Sequence, residues 1–231
     1  MAPVRFVVIR HGQSTNNLLW ETTGSESGRH PDTPLTETGH RQAELLAERL
    51  SAVLPWRVDA IYCSLMTRAV QTAAPIAAAL GLPLIGRTDM FEVGGPFELD
   101  VATGERFPYA GASAHELRTI SDRIVLPDGA TDKGWWSGPV ENDTDGPTRR
   151  AHHLVADIRA KHHDNTTVAF VSHGYFSQFL FREFLGIEQM PGWIEIHNTS
   201  LTMYEDAPEF QSYRALRINW TPHLPDSLVT N

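Results

Sequence analysis

Apolar positions along this chain follow two periods that take turns. Val4 to Ile9, apolar except at Arg5, is closed by a polar pair and is too short for a buried helix, and it predicts a strand. After Thr36, a helix-capping residue, Ala43, Leu46, Ala47, Leu50 and Val53 recur every three or four positions up to Pro55, which predicts a helix. Val58 to Cys63 predicts a second strand, Ala69, Thr72, Ala73, Ile76 and Leu80 mark a second helix, and Pro83 to Gly86 a third strand. The second half repeats the pattern. A helix from about Thr148 to Lys161 turns Leu154, Val155 and Ile158 inward, and the strand Thr167 to Ser172 follows. A helix through Phe176, Phe179, Leu180 and Phe184 comes next, then strands at Ile194 to His197, Leu201 to Tyr204 and Tyr213 to Ile218. Such alternation predicts an α/β fold, a three-layer α/β/α sandwich around a mainly parallel sheet.

Two stretches break the alternation. Asn16 to Pro34 is rich in Gly, Ser, Thr and Pro without a sustained period, and reads as a loop over the end of the first strand. Residues 96–146 scatter Gly, Pro, Asp and aromatics around one helical piece opened by the capping-box pattern Ser113-Ala114-His115-Glu116, and read as an insertion or lid within a single domain, 1–231. Trp135-Trp136 in that insertion fit best as aromatics pinning a long loop to the core.

Composition narrows the partners. The 231 residues carry a formal net charge of -9, so a nucleic-acid surface is excluded and any phosphate site must be a local basic pocket for a small substrate. The single cysteine, Cys63, ends an apolar run and fits the core. It rules out an internal disulfide and fits a reducing compartment. No run reaches the roughly 18 apolar residues of a membrane span, and the first strand begins with no signal-peptide pattern ahead of it, so the expected location is the cytoplasm.

The candidate chemistry sits where the strands stop. Arg10-His11 closes the first strand, Ser64 closes the second with Arg68 in the first turn of the next helix, and His173-Gly174 follows the strand 167–172. Parallel strands bring their carboxyl ends to one edge, so two arginines and two histidines from distant positions converge. A histidine beside a permanently charged arginine favours the neutral, nucleophilic imidazole. A cation in the first turn of a helix is unfavourable unless an anion shares the site. Convergence of this kind makes an anion pocket suited to phosphoryl chemistry. His152-His153 and His162-His163 do not read as a metal site, because adjacent helical residues point apart and no carboxylate cluster accompanies them.

These residues resemble the histidine phosphatase superfamily, with its phosphoglycerate-mutase-like fold, over nearly the whole chain. Arg10-His11-Gly12 with Asn17 matches the defining motif, and Ser64-Leu65-Met66-Thr67-Arg68-Ala69 with Thr72 matches the second arginine motif. Ser172-His173-Gly174 matches the second histidine motif, and Asp32 to Gln42 contains a Leu-Thr-x-x-Gly-x-x-Gln segment. The resemblance implies that His11 becomes a phosphohistidine, that Arg10, Asn17, Arg68, His173 and Gly174 bind the phosphoryl group, and that Glu92 is the general acid. It implies neither metal nor cofactor.

Departures from the family pattern narrow the reading further. Gln13 stands where glutamate is common. Val93-Gly94-Gly95 follows Glu92 where the mutases have Arg-His-Tyr-Gly, and the phytase-like aspartate is replaced by Gly174. A phosphatase of the mutase-like branch is therefore expected, acting on a small phosphate monoester. A phosphoglycerate-mutase-type phosphotransferase and a catalytically inactive phosphate-binding module remain the alternatives. Glu98, Asp100 and Glu105 are competing acids near Glu92 in sequence, and the sequence leaves a homodimer open.

Overall fold

The computed structural model of the chain describes residues 3–210 and 212–231. In order, the elements are β1 (Arg5–Arg10), α1 (Thr15–Thr23), α2 (Glu37–Val53), β2 (Ala60–Ser64), α3 (Thr67–Leu80), β3 (Leu84–Arg87), β4 (Phe97–Leu99) and β5 (Arg106–Pro108). There follow α4 (Ala114–Ile120), β6 (Ile124–Val125), α5 (Asp145–Lys161), β7 (Thr167–Ser172), α6 (Gly174–Leu185), β8 (Leu201–Ala207) and β9 (Ser212–Trp220). Seven strands form one sheet in the order β6-β3-β2-β7-β1-β8-β9, parallel from β6 to β1 and antiparallel at β8 and β9.

The pleat of β1 divides the core in two. Val7 and Ile9 pack with α2 and α3, while Phe6 and Val8 pack with α5 and α6, because successive side chains leave opposite faces of a strand. β7 is buried along its whole length, as a central strand covered by helices on both faces should be. Phe6, Phe170, Phe176, Phe181 and Phe184 are fully buried on the α5 and α6 side, each stabilising by roughly 1.5–3 kcal/mol.

Two expectations are corrected. Thr15–Thr23 is a helix, not loop: Ser14 caps it, Ser14 and Asn17 close a reciprocal capping box, and Gly24 ends it in the left-handed region. None of its residues is buried, so it carries no apolar stripe for periodicity to detect. Ile194 to His197 is not a strand. The side-chain amide of Gln178 takes the place of a neighbouring strand there, accepting from Ile194 N at 3.0 Å and donating to Ile194 O at 2.9 Å. The 96–146 segment also holds more order than expected, with the β4–β5 hairpin and β6, which joins the edge of the main sheet.

Sheet register aligns the chemistry. Arg10 pairs with Ser172 between β1 and β7, and Cys63 pairs with Val171 between β2 and β7, so the last residues of three parallel strands stand abreast. Among the described residues, no helix is long and apolar enough to cross a membrane.

Candidate active site

His11 leaves β1 into a tightly packed turn. A side chain on Gly39 would meet Gln13 O at 2.1 Å, so the turn after β1 and the start of α2 pack backbone to backbone. The segment around Gly39 serves that contact: Thr36 donates to Gln13 Oε1 at 2.8 Å, and Gln42 Oε1 accepts from Gln13 N at 2.8 Å. Thr72 accepts from Gly12 N at 2.9 Å and donates to Arg68 O at 2.7 Å, tying the turn to α3. Asn198 donates to His11 O at 3.0 Å.

The imidazole of His11 is 3% exposed and has one defined tautomer. Its Nδ1 lies 2.7 Å from Gly12 O, which can only accept, so the proton is on Nδ1 and the lone pair on Nε2. Arg68 Nε donates to that lone pair at 3.0 Å. Burial first, then the charges of Arg68 and Arg10, hold His11 well below the ordinary imidazole range. His173 is likewise lowered by burial, then by Arg68 and His11. Its Nε2 lies 2.8 Å from Ser64 Oγ, and its ring centroid is 5.1 Å from that of His11. Two neutral imidazoles therefore face two guanidinium groups.

Arg10 binds Ile196 O, while its Nε is buried with no partner among the described residues, a donor that a ligand oxygen would satisfy. His173 Nδ1 is buried and unpartnered in the same way. Gly174 makes room for Arg10, since a Cβ there would stand 3.3 Å from Arg10 Nε. Asp32 accepts from Thr67 N and Thr67 Oγ1, both at 2.9 Å, and so anchors the first turn of α3 that presents Arg68.

Glu92 reaches the same place from the turn after β3. Its carboxylate accepts from Val93 N at 2.8 Å, Phe176 N at 2.8 Å and Tyr175 N at 3.1 Å, and so sits on the free amides that open α6. Arg150 holds that turn, donating to Phe91 O at 2.6 Å and pairing with Glu141 at 2.7 Å while lying over the Phe91 and Phe176 rings. Trp135 and Trp136 pack on Phe91, the pinning role expected of them.

Arg10, Asn17, Glu92 and Gly174 line a cavity of about 460 Å³, with His11, His173 and Arg68 buried close behind. Asn17 spends its Oδ1 on the Ser14 cap and keeps its amide N–H groups for a ligand. Glu98, Asp100 and Glu105 do not line this cavity, whereas Glu21 and Glu195 do. Among the described residues, no three His, Cys, Asp or Glu side chains gather where they could hold a metal. His152 pairs with Glu183 and His162 with Tyr62 instead. Arg150 and Asn198 escaped sequence reasoning because each lies outside any motif and acts through a backbone carbonyl.

An α/β sandwich with two histidines and two arginines at the carboxyl edge of its parallel strands is an arrangement suited to holding an anion such as a phosphoryl group. A family model of the histidine phosphatase superfamily (branch 1) matches residues 6–219, and the chain belongs to that superfamily. It is 26% identical over 233 residues to phosphoserine phosphatase 1 of Hydrogenobacter thermophilus, an alignment covering 98% of this chain and 97% of that one. It is 44% identical over 72 residues to a protein of Schizosaccharomyces pombe named probable phosphatase C1687.21, a match to 31% of each chain. Among solved structures, a mutant phosphoserine phosphatase of Entamoeba histolytica in complex with phosphoserine superposes with a TM-score of 0.62 at 23% identity, covering 96% of this chain and all of that one.

Proposed function

We propose that the protein is a metal-independent phosphatase that hydrolyses a small phosphate monoester through a phosphohistidine at His11. The observation that carries this reading is the hydrogen bonding of His11: Gly12 O accepts at Nδ1, so the Nε2 lone pair is left facing Arg68. In the free enzyme Arg68 Nε caps that lone pair. A phosphate dianion competes for the guanidinium, draws it onto its oxygens and frees Nε2 to attack.

The Nε2–P bond then forms as the ester P–O bond breaks, and Glu92 gives its proton to the departing oxygen. Phosphoryl transfer spreads charge over the equatorial oxygens, which Arg10, Arg68, His173 and the Asn17 amide would hold, with Gly174 keeping Arg10 free to do so. In the second half, Glu92 takes a proton from water, water attacks phosphorus, the Nε2–P bond breaks and inorganic phosphate leaves. A cavity of about 460 Å³ fits a low-molecular-weight substrate.

The test is covalent capture. Brief incubation with substrate labelled in the phosphoryl group should leave an acid-labile, base-stable label that His11→Ala does not acquire. An acid-stable label would indicate a serine or aspartate ester and end the proposal. Phosphate release that needs no bisphosphorylated primer separates this reading from a mutase.

A further inference from the structure

The cavity holds side chains that this chemistry leaves unused. Three elements meet at its rim. α1 presents Asn17, Trp20 and Glu21 on one face, the start of α6 presents Tyr175, and the segment after it adds Trp193 and Glu195. Trp20, Trp193 and Tyr175 are 60%, 58% and 43% exposed, and the rings of Tyr175 and Trp193 meet edge to face at 5.2 Å. Single exposed aromatics are ordinary, whereas three around one opening mark a surface that packs against a ligand.

The charge at that rim has one sign. Arg10 is the cation lining the cavity, and it lies at the phosphoryl end bound to Ile196 O. Glu21 accepts from Gln13 Nε2 at 3.2 Å. Neither it nor Glu195 enters an ion pair among the described residues, although the charge of Glu195 favours the protonated Arg10. Gln13 explains how Glu21 is kept there: a glutamate at position 13 would set a second carboxylate against it. An alcohol bearing a carboxylate would meet two like charges at this rim, whereas an ammonium group would meet two carboxylates and three aromatic faces.

We propose that the rim is a cation subsite, and that the substrate is the phosphate monoester of an amino alcohol that carries an alkylated ammonium head and no carboxylate. The inference rests on the phosphatase reading above. The same ester P–O bond breaks, the amino alcohol leaves with the Glu92 proton, and water supplies the fourth oxygen of phosphate. Trp20, Trp193, Glu21 and Glu195 are specificity residues here, and none touches the reacting atoms.

The experiment compares choline phosphate with its uncharged isostere, 3,3-dimethylbutyl phosphate, and with phosphoserine and 3-phosphoglycerate. Wild-type kcat/KM should favour choline phosphate over the isostere by about 3- to 30-fold, and over both carboxylated esters. Trp193→Ala and Glu195→Gln should shrink the first ratio toward one, through KM, because the contact is made equally in ground and transition states. Calorimetric binding of the same four esters to His11→Ala separates the two claims. The same ranking without turnover in the wild type would end the phosphatase reading and leave the subsite standing. Turnover with the isostere equal to or better than choline phosphate, or with phosphoserine preferred, would overturn the subsite alone.

Discussion

Glu92→Gln separates two jobs that one carboxylate performs. In the structure Glu92 accepts amide hydrogens from Tyr175 and Phe176 at the start of α6 and from its own neighbour Val93, and in the proposed reaction it protonates the leaving oxygen. An amide side chain keeps one acceptor oxygen. Its better orientation retains the bonds from Val93 N and Phe176 N and sets an NH₂ against Tyr175 N. One unpaired amide costs about 1–3 kcal/mol, and losing the negative charge at a helix N-terminus costs about 0.3–1 kcal/mol more. Urea denaturation should register a loss of roughly 1.3–4 kcal/mol. For a domain of about 5–15 kcal/mol that still leaves most molecules folded at 25 °C, so a rate loss beyond about tenfold must come from chemistry.

The chemical loss depends on the leaving group. A general acid contributes about 10²- to 10⁴-fold, but only where the departing oxygen needs a proton. An alkyl phosphate, which leaves as a strongly basic alkoxide, should lose that full factor in Glu92→Gln. Nitrophenyl phosphate leaves as a weakly basic phenolate and should lose about tenfold or less. The assay is single-turnover loss of each ester at matched saturation, so that phosphate release does not mask the step. Equal losses on the two esters would refute the assignment. Glu92 would then be an anchor for α6, and the acid would be sought at Glu21 or Glu195, which line the cavity, before Glu98, Asp100 or Glu105, which do not.

Three further outcomes follow from the same geometry. Arg68→Ala removes a buried guanidinium from His11 Nε2 and should lower turnover on the order of a hundredfold or more while a chelator leaves the wild type unchanged; chelator inhibition reversed by zinc or magnesium would contradict the metal-independent mechanism. Gly39→Ala would push a Cβ to 2.1 Å from Gln13 O, backbone against backbone, and should cost about 1–3 kcal/mol or more together with activity, whereas a thermal midpoint equal to wild type would show that the turn beside His11 is compliant. His11, His173 and His223 all lie below the ordinary imidazole range chiefly through burial, His223 at about 4, so the unfolded chain binds protons that the folded one refuses. Stability should therefore be complete above about pH 6.5 and fall as pH drops, with His223 alone accounting for about 2 kcal/mol by pH 5, and a melting temperature flat between pH 7 and 5 would contradict it.

What the sequence made legible follows from what leaves a pattern in it. β1, β2 and β7 are buried on both faces and read as apolar runs, and α2, α3, α5 and α6 each turn a stripe to the sheet. The three-layer fold and the meeting of Arg10, His11, Arg68 and His173 could thus be anticipated from strand ends alone. α1 has no buried residue and left no period to find, whereas segment 194–197 alternates like a strand but is held by a glutamine side chain instead of a neighbouring strand. Those two misread pieces carry Trp20, Glu21 and Glu195, which line the same cavity as Arg10 and Glu92. The core that fixes the phosphoryl-transfer machinery is constrained by packing and is legible. The rim that would choose among phosphate esters is free of packing, so it can vary without disturbing the fold, and only the assembled structure brings it to one place.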